Sequence, residues 1–286
     1  MIRYRTEVYF RQHGNTRERS TTLRSPIARL PPELLYIITS YLFYDIDALL
    51  ACSLTCYSWF CVTLPHLHYY LTANNVSTPE SVYEWPKPLR RSNKLGLLPF
   101  VRQLCIRNTV TFTPKELRGS NLRYFSALTN LQELGIDHLQ VSSFMPNIQR
   151  YFEHLAPNLR FLALKEPKGS CSQILYFIGL FRNLQDLKLC YQSPLEEEED
   201  TDESTLIPPN VPPLHGRLTL VCFTRERLVK DMITLFGGLR FRYMDLFRVS
   251  CVRLLLKACE ETLETLRLYP TDRYGEDFSN WNVEGI

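Results

Sequence analysis

Apolar residues in the second two thirds of the chain recur in a leucine-x-x-leucine-x-leucine pattern. The complete segments are 101–106, 131–136, 159–164, 184–189, 241–246 and 263–268. A seventh segment, 218–220, has only the last two leucines of the pattern. Most of them follow one another at roughly 20–30 residues, which is typical of a repeated structural unit. The alternation of apolar and polar residues within each segment predicts a short strand with one buried face.

Amphipathic helical stretches lie between these strands. Apolar residues recur at helical spacing within 144–155, 174–181, 228–236 and 252–259. Each unit is therefore predicted to contain a helix, a loop and a strand, in an α/β fold whose stacked units share one core. The strand positions that alternate with the buried ones are candidate target-binding residues: Gln103, Arg107, Glu133, Asp137, Phe161, Lys165, Asp186, Lys188, Tyr243, Asp245, Phe247, Arg267 and Tyr269.

Residues 30–71 follow a different pattern, which predicts three short helices. Pro31 and Pro32 suit the first turn of a helix, and Asp47 and Ser58 are the predicted N-caps of the next two. The predicted core stripe of the first helix is Leu34, Leu35, Ile38, Tyr41 and Leu42, although Tyr36 and Ile37 make its opposite face apolar too. A module this small cannot bury so much apolar surface, and such a surface normally marks a partner site.

A membrane-spanning segment is the competing interpretation of this apolar region. Asp45 and Asp47 lie in the middle of it, and no uncharged run reaches the roughly 18 residues that a span requires. We therefore expect no transmembrane helix and no membrane partner.

The module resembles the F-box, a three-helix motif that binds the Skp-type adaptor of cullin–RING ubiquitin ligases. Similarity lies in Leu30 to Leu35, in the Asp47-Ala-Leu-Leu helix start, and in residues 53–59, which end in Cys-x-x-Trp. Tyr57 departs from the motif, where a basic residue is common. The resemblance implies adaptor-facing or module-packing roles for Leu30, Pro31, Leu34, Ile38, Leu49, Leu50, Leu54, Cys56 and Trp59. An ordinary buried helical hairpin is the alternative.

The repeated part, residues 100–270, resembles the leucine-rich-repeat superfamily, which implies a solenoid with short parallel strands and helices. That family often has Asn three residues after its last Leu. This chain has other residues there: Thr109, Leu139, Pro167, Gln192, Val249 and Thr271. The alternative is a non-repetitive α/β domain with coincidental leucine spacing.

Four further segments complete the predicted organisation. Residues 1–29 are an arginine-rich flexible arm, for which a transit peptide and a nucleic-acid arm are alternatives. Residues 72–99 contain several prolines and are a predicted connector. Residues 193–214 form an exposed acidic loop around Glu196–Glu203, and 271–286 a C-terminal tail. Beyond the arm the charge is slightly negative, so nucleic-acid binding is not expected.

Chemistry-bearing motifs are absent from the sequence. It has no phosphate-binding glycine loop and no nucleophile elbow, so we expect neither an enzyme nor a cofactor. Cys52, Cys56 and Cys61 with His66 and His68 do not have the spacing of a zinc site. Nine cysteines, an odd number, indicate free thiols in a reducing compartment, cytoplasmic or nuclear.

The order of module and repeats predicts a function. An adaptor-binding module joined to a variable surface is typical of a substrate receptor, and the resemblance implies a non-catalytic F-box/leucine-rich-repeat subunit of a cullin–RING ligase that presents a target protein for ubiquitination and proteasomal degradation. A protein-interaction scaffold without ubiquitination is the alternative. An enzyme with a site on an unfamiliar scaffold is a further one.

Overall fold

The computed structural model describes residues 30–74, 87–107, 123–139, 141, 152–191, 212–222 and 225–269. The chain divides into two compact units, residues 1–63 and 64–286. The predicted arm, the acidic run and the C-terminal tail lie outside the described residues. So does most of the predicted helical stretch 144–155, of which the structure gives a short 3₁₀ turn, Glu153–Leu155.

The first helix, α1, is Pro32–Tyr41 and begins at its proline as predicted. Its buried residues are Leu35 and Thr39, and the Thr39 hydroxyl donates to the Tyr36 carbonyl at 2.9 Å. The predicted core stripe is confirmed at Leu35 and wrong at Leu34, Ile38 and Tyr41, which are all exposed. Since every residue from 34 to 38 is apolar, hydrophobic spacing alone could not tell which face packs inward.

Two more helices follow, and their N-caps differ from those predicted. Helix α2, Ile46–Ser53, is capped by Asp45, whose carboxylate accepts a hydrogen bond from the Ala48 amide at 2.9 Å. Helix α3 is Tyr57–Leu67, so Ser58 lies inside it. The predicted caps at Asp47 and Ser58 are therefore wrong, since each lies inside its helix, two residues after the position that precedes the first helical residue.

The remaining unit is built on one parallel sheet of eight strands that lie in the order of the sequence. The strands are β1 Tyr70–Asn74, β2 Gln103–Arg107, β3 Glu133–Asp137, β4 Phe161–Lys165, β5 Asp186–Cys190, β6 Leu214–Val221, β7 Leu239–Phe247 and β8 Thr265–Tyr269. The seven strands predicted from the leucine pattern are confirmed. Each inner strand pairs with the one before it and the one after it, while β1 and β8 are the edge strands. Because the pairing is parallel, crossover segments must return the chain to the same end of the sheet.

Consensus residues of successive strands stand in register and form the core. The row Leu104, Leu134, Leu162, Leu187, Leu218 and Met244 runs across six strands, and all six side chains are buried. The helices of this unit are α4 Lys87–Lys94, α5 Cys171–Gly179, α6 Glu226–Leu235 and α7 Val252–Ala258. Helices α5 to α7 confirm three predicted stretches, and their apolar faces are part of this core.

The sheet begins earlier than the sequence suggests. Strand β1 and helix α4 both lie wholly or partly within 72–99, the segment predicted to be a connector. Leu71 and Ala73 pair with Leu104 and Ile106. A leucine at the first consensus position would be residue 68, which is histidine, so the pattern was too weak to predict this strand.

Asparagine side chains join neighbouring units, although not at the position that the leucine-rich-repeat pattern implies. Asn130, Asn158 and Asn183 each precede the first consensus leucine of their unit. Their amide groups donate to the carbonyl oxygens of Pro99, Thr129 and Pro157 at 2.7–2.8 Å. These bonds satisfy backbone groups where one unit meets the next.

The strands also end in a shared backbone turn. His138, Glu166, Cys222 and Arg248 follow β3, β4, β6 and β7 directly, and each has φ between 50° and 59°. The amide of His138 donates to Lys165 O at 2.6 Å, and that of Glu166 to Cys190 O at 2.8 Å. Neighbouring units are thus joined by side-chain hydrogen bonds near the N-terminal ends of the strands, and a recurring backbone turn follows the C-terminal ends.

Candidate functional site

A stripe of exposed apolar side chains runs along helix α1. Leu34, Ile37, Ile38 and Tyr41 recur at i, i+3, i+4 and i+7 and are 45%, 48%, 40% and 85% exposed. This spacing places them on one face of the helix. We call these four residues the docking stripe. Leu35 and Thr39 face the other way and anchor the helix, so the stripe is presented to solvent by a packed element.

Further large apolar residues of the helical unit are also exposed. They are Tyr36, Tyr44, Ile46, Leu54 and Tyr57. So many exposed apolar side chains in one small unit are uncommon on a monomer and normally mark a protein interface. A hydrogen bond with the Cys61 thiol raises the pKa of Tyr57 above its ordinary value.

The nine residues predicted to bind the adaptor fall into two groups. Seven are accessible at least in part: Leu30, Pro31, Leu34, Ile38, Leu50, Leu54 and Cys56. Leu49 and Trp59 are buried, which suits support of the module better than direct contact. The prediction omitted Ile37 and placed Tyr41 in the core. The i, i+3, i+4, i+7 spacing from Leu34 contains both and was the signal that could have found them.

The second candidate surface is the side of the parallel sheet opposite the consensus leucines, which we call the strand face. Cys105, Ala163, Cys190 and Val221 on this side are buried, and its other large side chains are at least partly exposed. Strand pairing aligns its residues in three rows. The first row is Gln103, Glu133, Phe161, Asp186, Arg217, Tyr243 and Thr265; the second is Cys105, Gly135, Ala163, Lys188, Thr219, Asp245 and Arg267; the third continues from Asp137 through Lys165, Cys190, Val221 and Phe247 to Tyr269. All the predicted target-binding residues stand in these rows or, for Arg107, at the end of β2.

Carboxylates mark the β3–β5 part of the strand face. The Gln103 side-chain amide donates to the Glu133 carboxylate at 2.5 Å. Burial raises the pKa of Glu133, and the nearby Asp186 raises it further. Burial also raises the pKa of Asp186, although Arg217 opposes that shift. In the third row, Lys165 lies 3.7 Å from Asp137.

Arginine and aromatic side chains mark the β6–β8 part. Asp245 lies between Arg217, at 3.8 Å, and Arg267, at 4.0 Å. The Arg217 guanidinium is 5.8 Å from the centre of the Tyr243 ring. Phe247 and Tyr269 stack with ring centres 4.0 Å apart and planes 5° from parallel. Charged and aromatic groups therefore alternate across three strands.

An open cleft of about 880 Å³ adjoins this part of the strand face. It lies where β6 and β7 extend beyond their neighbours at their N-terminal ends. Pairing shifts between Gly216 and Arg217, so that Arg242 is an extra residue in β7 and is exposed beside Tyr243. Arg217 was not among the predicted target-binding residues. It directly precedes the incomplete unit 218–220, from which no strand-face residue was predicted.

Metal and membrane sites have no support in the residues that the structure describes. No group of three or more histidine, cysteine or acidic side chains among them could hold a metal ion. None of the described helices is long and apolar enough to cross a membrane. All nine cysteines are free thiols.

Comparison with known proteins identifies the helical end of the chain. Residues 27–72 match the family model described as F-box-like, which covers α1, α2 and α3. The chain therefore carries an F-box-like domain that contains the docking stripe. No curated protein matches the chain.

Proposed function

We propose, from its F-box-like domain, that the chain is the substrate receptor of a cullin–RING ubiquitin ligase. The docking stripe binds a Skp-type adaptor, and the strand face binds a target protein. The observation that carries this proposal is the exposure of Leu34, Ile37, Ile38 and Tyr41 on one face of a helix inside the matched domain. A surface of that kind calls for a polypeptide to cover it.

The magnitude of the exposed surface supports a stable partner. Full burial of one large apolar side chain contributes about 1.5–3 kcal/mol. The four stripe residues are on average about half exposed, so covering them contributes roughly 3–6 kcal/mol. Leu54 and Tyr57 of the same domain are also exposed.

The part of the chain that we propose binds the target is a leucine-rich-repeat solenoid. Its support is the sequential parallel sheet, the row of consensus residues in register, and the repeated asparagine bonds between units. Such a scaffold presents a surface whose residues vary independently of the core. The receptor itself is non-catalytic and acts by proximity, because a bound target has its lysines held at high effective concentration near the conjugating enzyme.

Co-expression with a Skp-type adaptor tests the first half of the proposal. The wild-type chain should co-purify with the adaptor, and Leu34→Asp and Ile38→Asp should each abolish the complex. Ser40→Asp is the matched control, because Ser40 is exposed on the same helix outside the stripe. Circular dichroism should show that all variants remain folded. Failure of the wild-type chain to co-purify, or equal loss in the Ser40 variant, would remove the proposal.

Reconstitution distinguishes the receptor from an interaction scaffold. A target captured by the chain should be ubiquitinated when the complete ligase and a conjugating enzyme are added, and not when the chain carries Leu34→Asp. Capture that is followed by no transfer in the complete system would favour the scaffold.

A further inference from the structure

Arginine side chains collect on the strand face between β6 and β8. The guanidinium groups of Arg217 and Arg267 lie 3.8 and 4.0 Å from the Asp245 carboxylate, which is longer than a hydrogen bond. The Asp245 side chain is only 17% exposed, while those of Arg217 and Arg267 are 39% and 60% exposed. Arg217 also has a favourable charge interaction with Asp186, so the charge of Arg267 is the less compensated of the two.

Arg240 adds a third guanidinium to the same region. It is exposed on the extended start of β7, where it lines the cleft with Arg217 and Tyr243. Its side chain has no hydrogen bond or ion pair with any residue in the described part of the chain. Arg242, by contrast, is held by Glu264 at 2.9 Å. The available donors are therefore those of Arg217, Arg240 and Arg267.

The chemistry of these groups indicates what they bind. A guanidinium offers a planar fork of N–H donors that matches the two oxygens of a carboxylate, and the charged bonds it forms are strong. Tyr243, 40% exposed between the arginines, offers an aromatic surface to the same ligand. Carboxylates of a flexible polypeptide could reach each of the three guanidinium groups.

A nucleic acid fits the same surface less well. Asp186, Glu261 and Glu264 also line the cleft and would repel a continuous run of phosphates. A peptide can place its acidic residues at the arginines and neutral residues at these carboxylates. The alternation of charge across the cleft thus favours a short acidic segment.

We propose that the β6–β8 part of the strand face binds an acidic segment of a target protein, with one carboxylate seated between Arg217 and Arg267. This inference rests on the proposed function for the statement that the bound protein is a substrate. It assigns Asp245 a second role as an internal competitor, because its carboxylate attracts both guanidinium groups electrostatically when no ligand is present. Removing that carboxylate should strengthen binding, whereas a merely structural role would weaken it.

Fluorescence anisotropy with three labelled twelve-residue peptides tests the inference. The peptides alternate serine with glutamate, glutamine or lysine. The full-length chain carries Glu196–Glu199→Gln, Asp200→Asn, Asp202→Asn and Glu203→Gln, which removes its own acidic run as a competitor. The glutamate peptide should bind at least about tenfold more tightly than the glutamine peptide. Asp245→Asn should tighten that binding about threefold. The double variant R217E/R267E should lose the glutamate peptide and bind the lysine peptide instead.

Arg253→Glu is the matched control, because Arg253 is exposed on helix α7 away from the strand face. It should leave the affinity for every peptide unchanged. Should the double variant fail to fold, Arg267→Gln replaces it, since that side chain is largely exposed. Thermal unfolding of each variant separates loss of binding from loss of structure.

Three outcomes would overturn the inference. They are equal affinity for the glutamate and glutamine peptides, weaker binding by a folded Asp245→Asn variant, and tighter binding of a single-stranded twelve-residue DNA than of the glutamate peptide. Co-purification with the Skp-type adaptor is measured on the same preparations. If the chain still prefers the glutamate peptide to the glutamine peptide but does not bind the adaptor, the proposed function alone fails. If the chain binds the adaptor but does not distinguish the two peptides, this inference alone fails.

Discussion

A Cβ atom at Gly216 would lie 1.9 Å from the backbone carbonyl oxygen of Gln185. Gly216 also has a φ of +87°, which side chains disfavour. This contact fixes the start of β6 against the neighbouring unit, at the point where the pairing with β7 shifts and Arg217 turns onto the strand face. The cleft beside Arg217 therefore depends on a position where only glycine fits.

Gly216→Ala should lower the free energy of unfolding by roughly 2–3 kcal/mol, because it adds both backbone strain and a clash with Gln185. Chemical denaturation measures the change. Gly237→Ala is the control: Gly237 has a similar φ of +62° but nothing within 4 Å of the added atom, so about 1 kcal/mol is expected. Equal losses in the two variants would show that the clash contributes nothing.

The asparagine bonds between units predict a graded loss of stability. Asn158→Ala removes the donor to Thr129 O and should cost about 0.5–1.5 kcal/mol. Adding Asn183→Ala should cost a similar amount again, since the two side chains bond to different carbonyls. Arg182→Ala, an exposed neighbour of Asn183, should have little effect in the same denaturation experiment. No loss in the double variant would refute a stabilising role.

Glu133 predicts a pH dependence of stability. Burial and Asp186 raise the pKa of Glu133 in the folded chain above its ordinary value of 4.5. At a pH just above 4.5, this carboxyl group therefore binds a proton more often in the folded chain than in the unfolded chain. The free energy of unfolding contributed by this group therefore falls as pH rises through the interval between the ordinary and the raised pKa. Glu133→Gln keeps an acceptor for Gln103 and removes the ionisation.

Thermal unfolding between pH 4 and pH 8 measures the effect. The Glu133→Gln variant should melt at a higher temperature than the wild type at pH 7 and at nearly the same temperature at pH 4. Glu261→Gln, which changes an exposed carboxylate, is the control. A wild type that melts higher than the Glu133 variant at pH 7 would contradict a raised pKa for this carboxyl group.

Thiol accessibility predicts a clear order of alkylation. Burial raises the pKa of Cys190 and of Cys251 to about 11, so both are protonated at neutral pH. Cys56 and Cys61 are exposed. Iodoacetamide at pH 7.5, followed by mass spectrometry of peptides, should modify the exposed pair at least roughly 100-fold faster than the buried pair. Unfolding in urea should abolish the difference, and comparable rates in the native chain would argue against the described burial.

The leucine pattern predicted seven of the eight strands because large apolar residues fill its last two positions in every one of these units, although Leu268 in β8 is 56% exposed. Strand β1 was not predicted because His68 occupies the first consensus position of its unit. Sequence periodicity detects a unit only when large apolar residues fill its consensus positions. The strand-face residues followed from the same frame, since alternation along a strand fixes which side chains share a side.

The helical unit shows where such reasoning stops. Residues 34–38 are all apolar, so the sequence allowed either face of α1 to pack inward, and the choice of Leu35 and Thr39 comes from tertiary contacts. The bulge that exposes Arg242 depends on the approach of Gly216 to Gln185, two residues in different units. Contacts of that kind leave no periodic trace in a sequence.

Each strand of the sheet is hydrogen-bonded only to its neighbours in sequence. A chain stretched from one end by optical tweezers should thus yield in small steps, one strand peeling away before the next comes under load, rather than in one sudden rupture. Stepwise yielding would let an unfolding motor start on a terminal unit while the rest of the sheet still held its form.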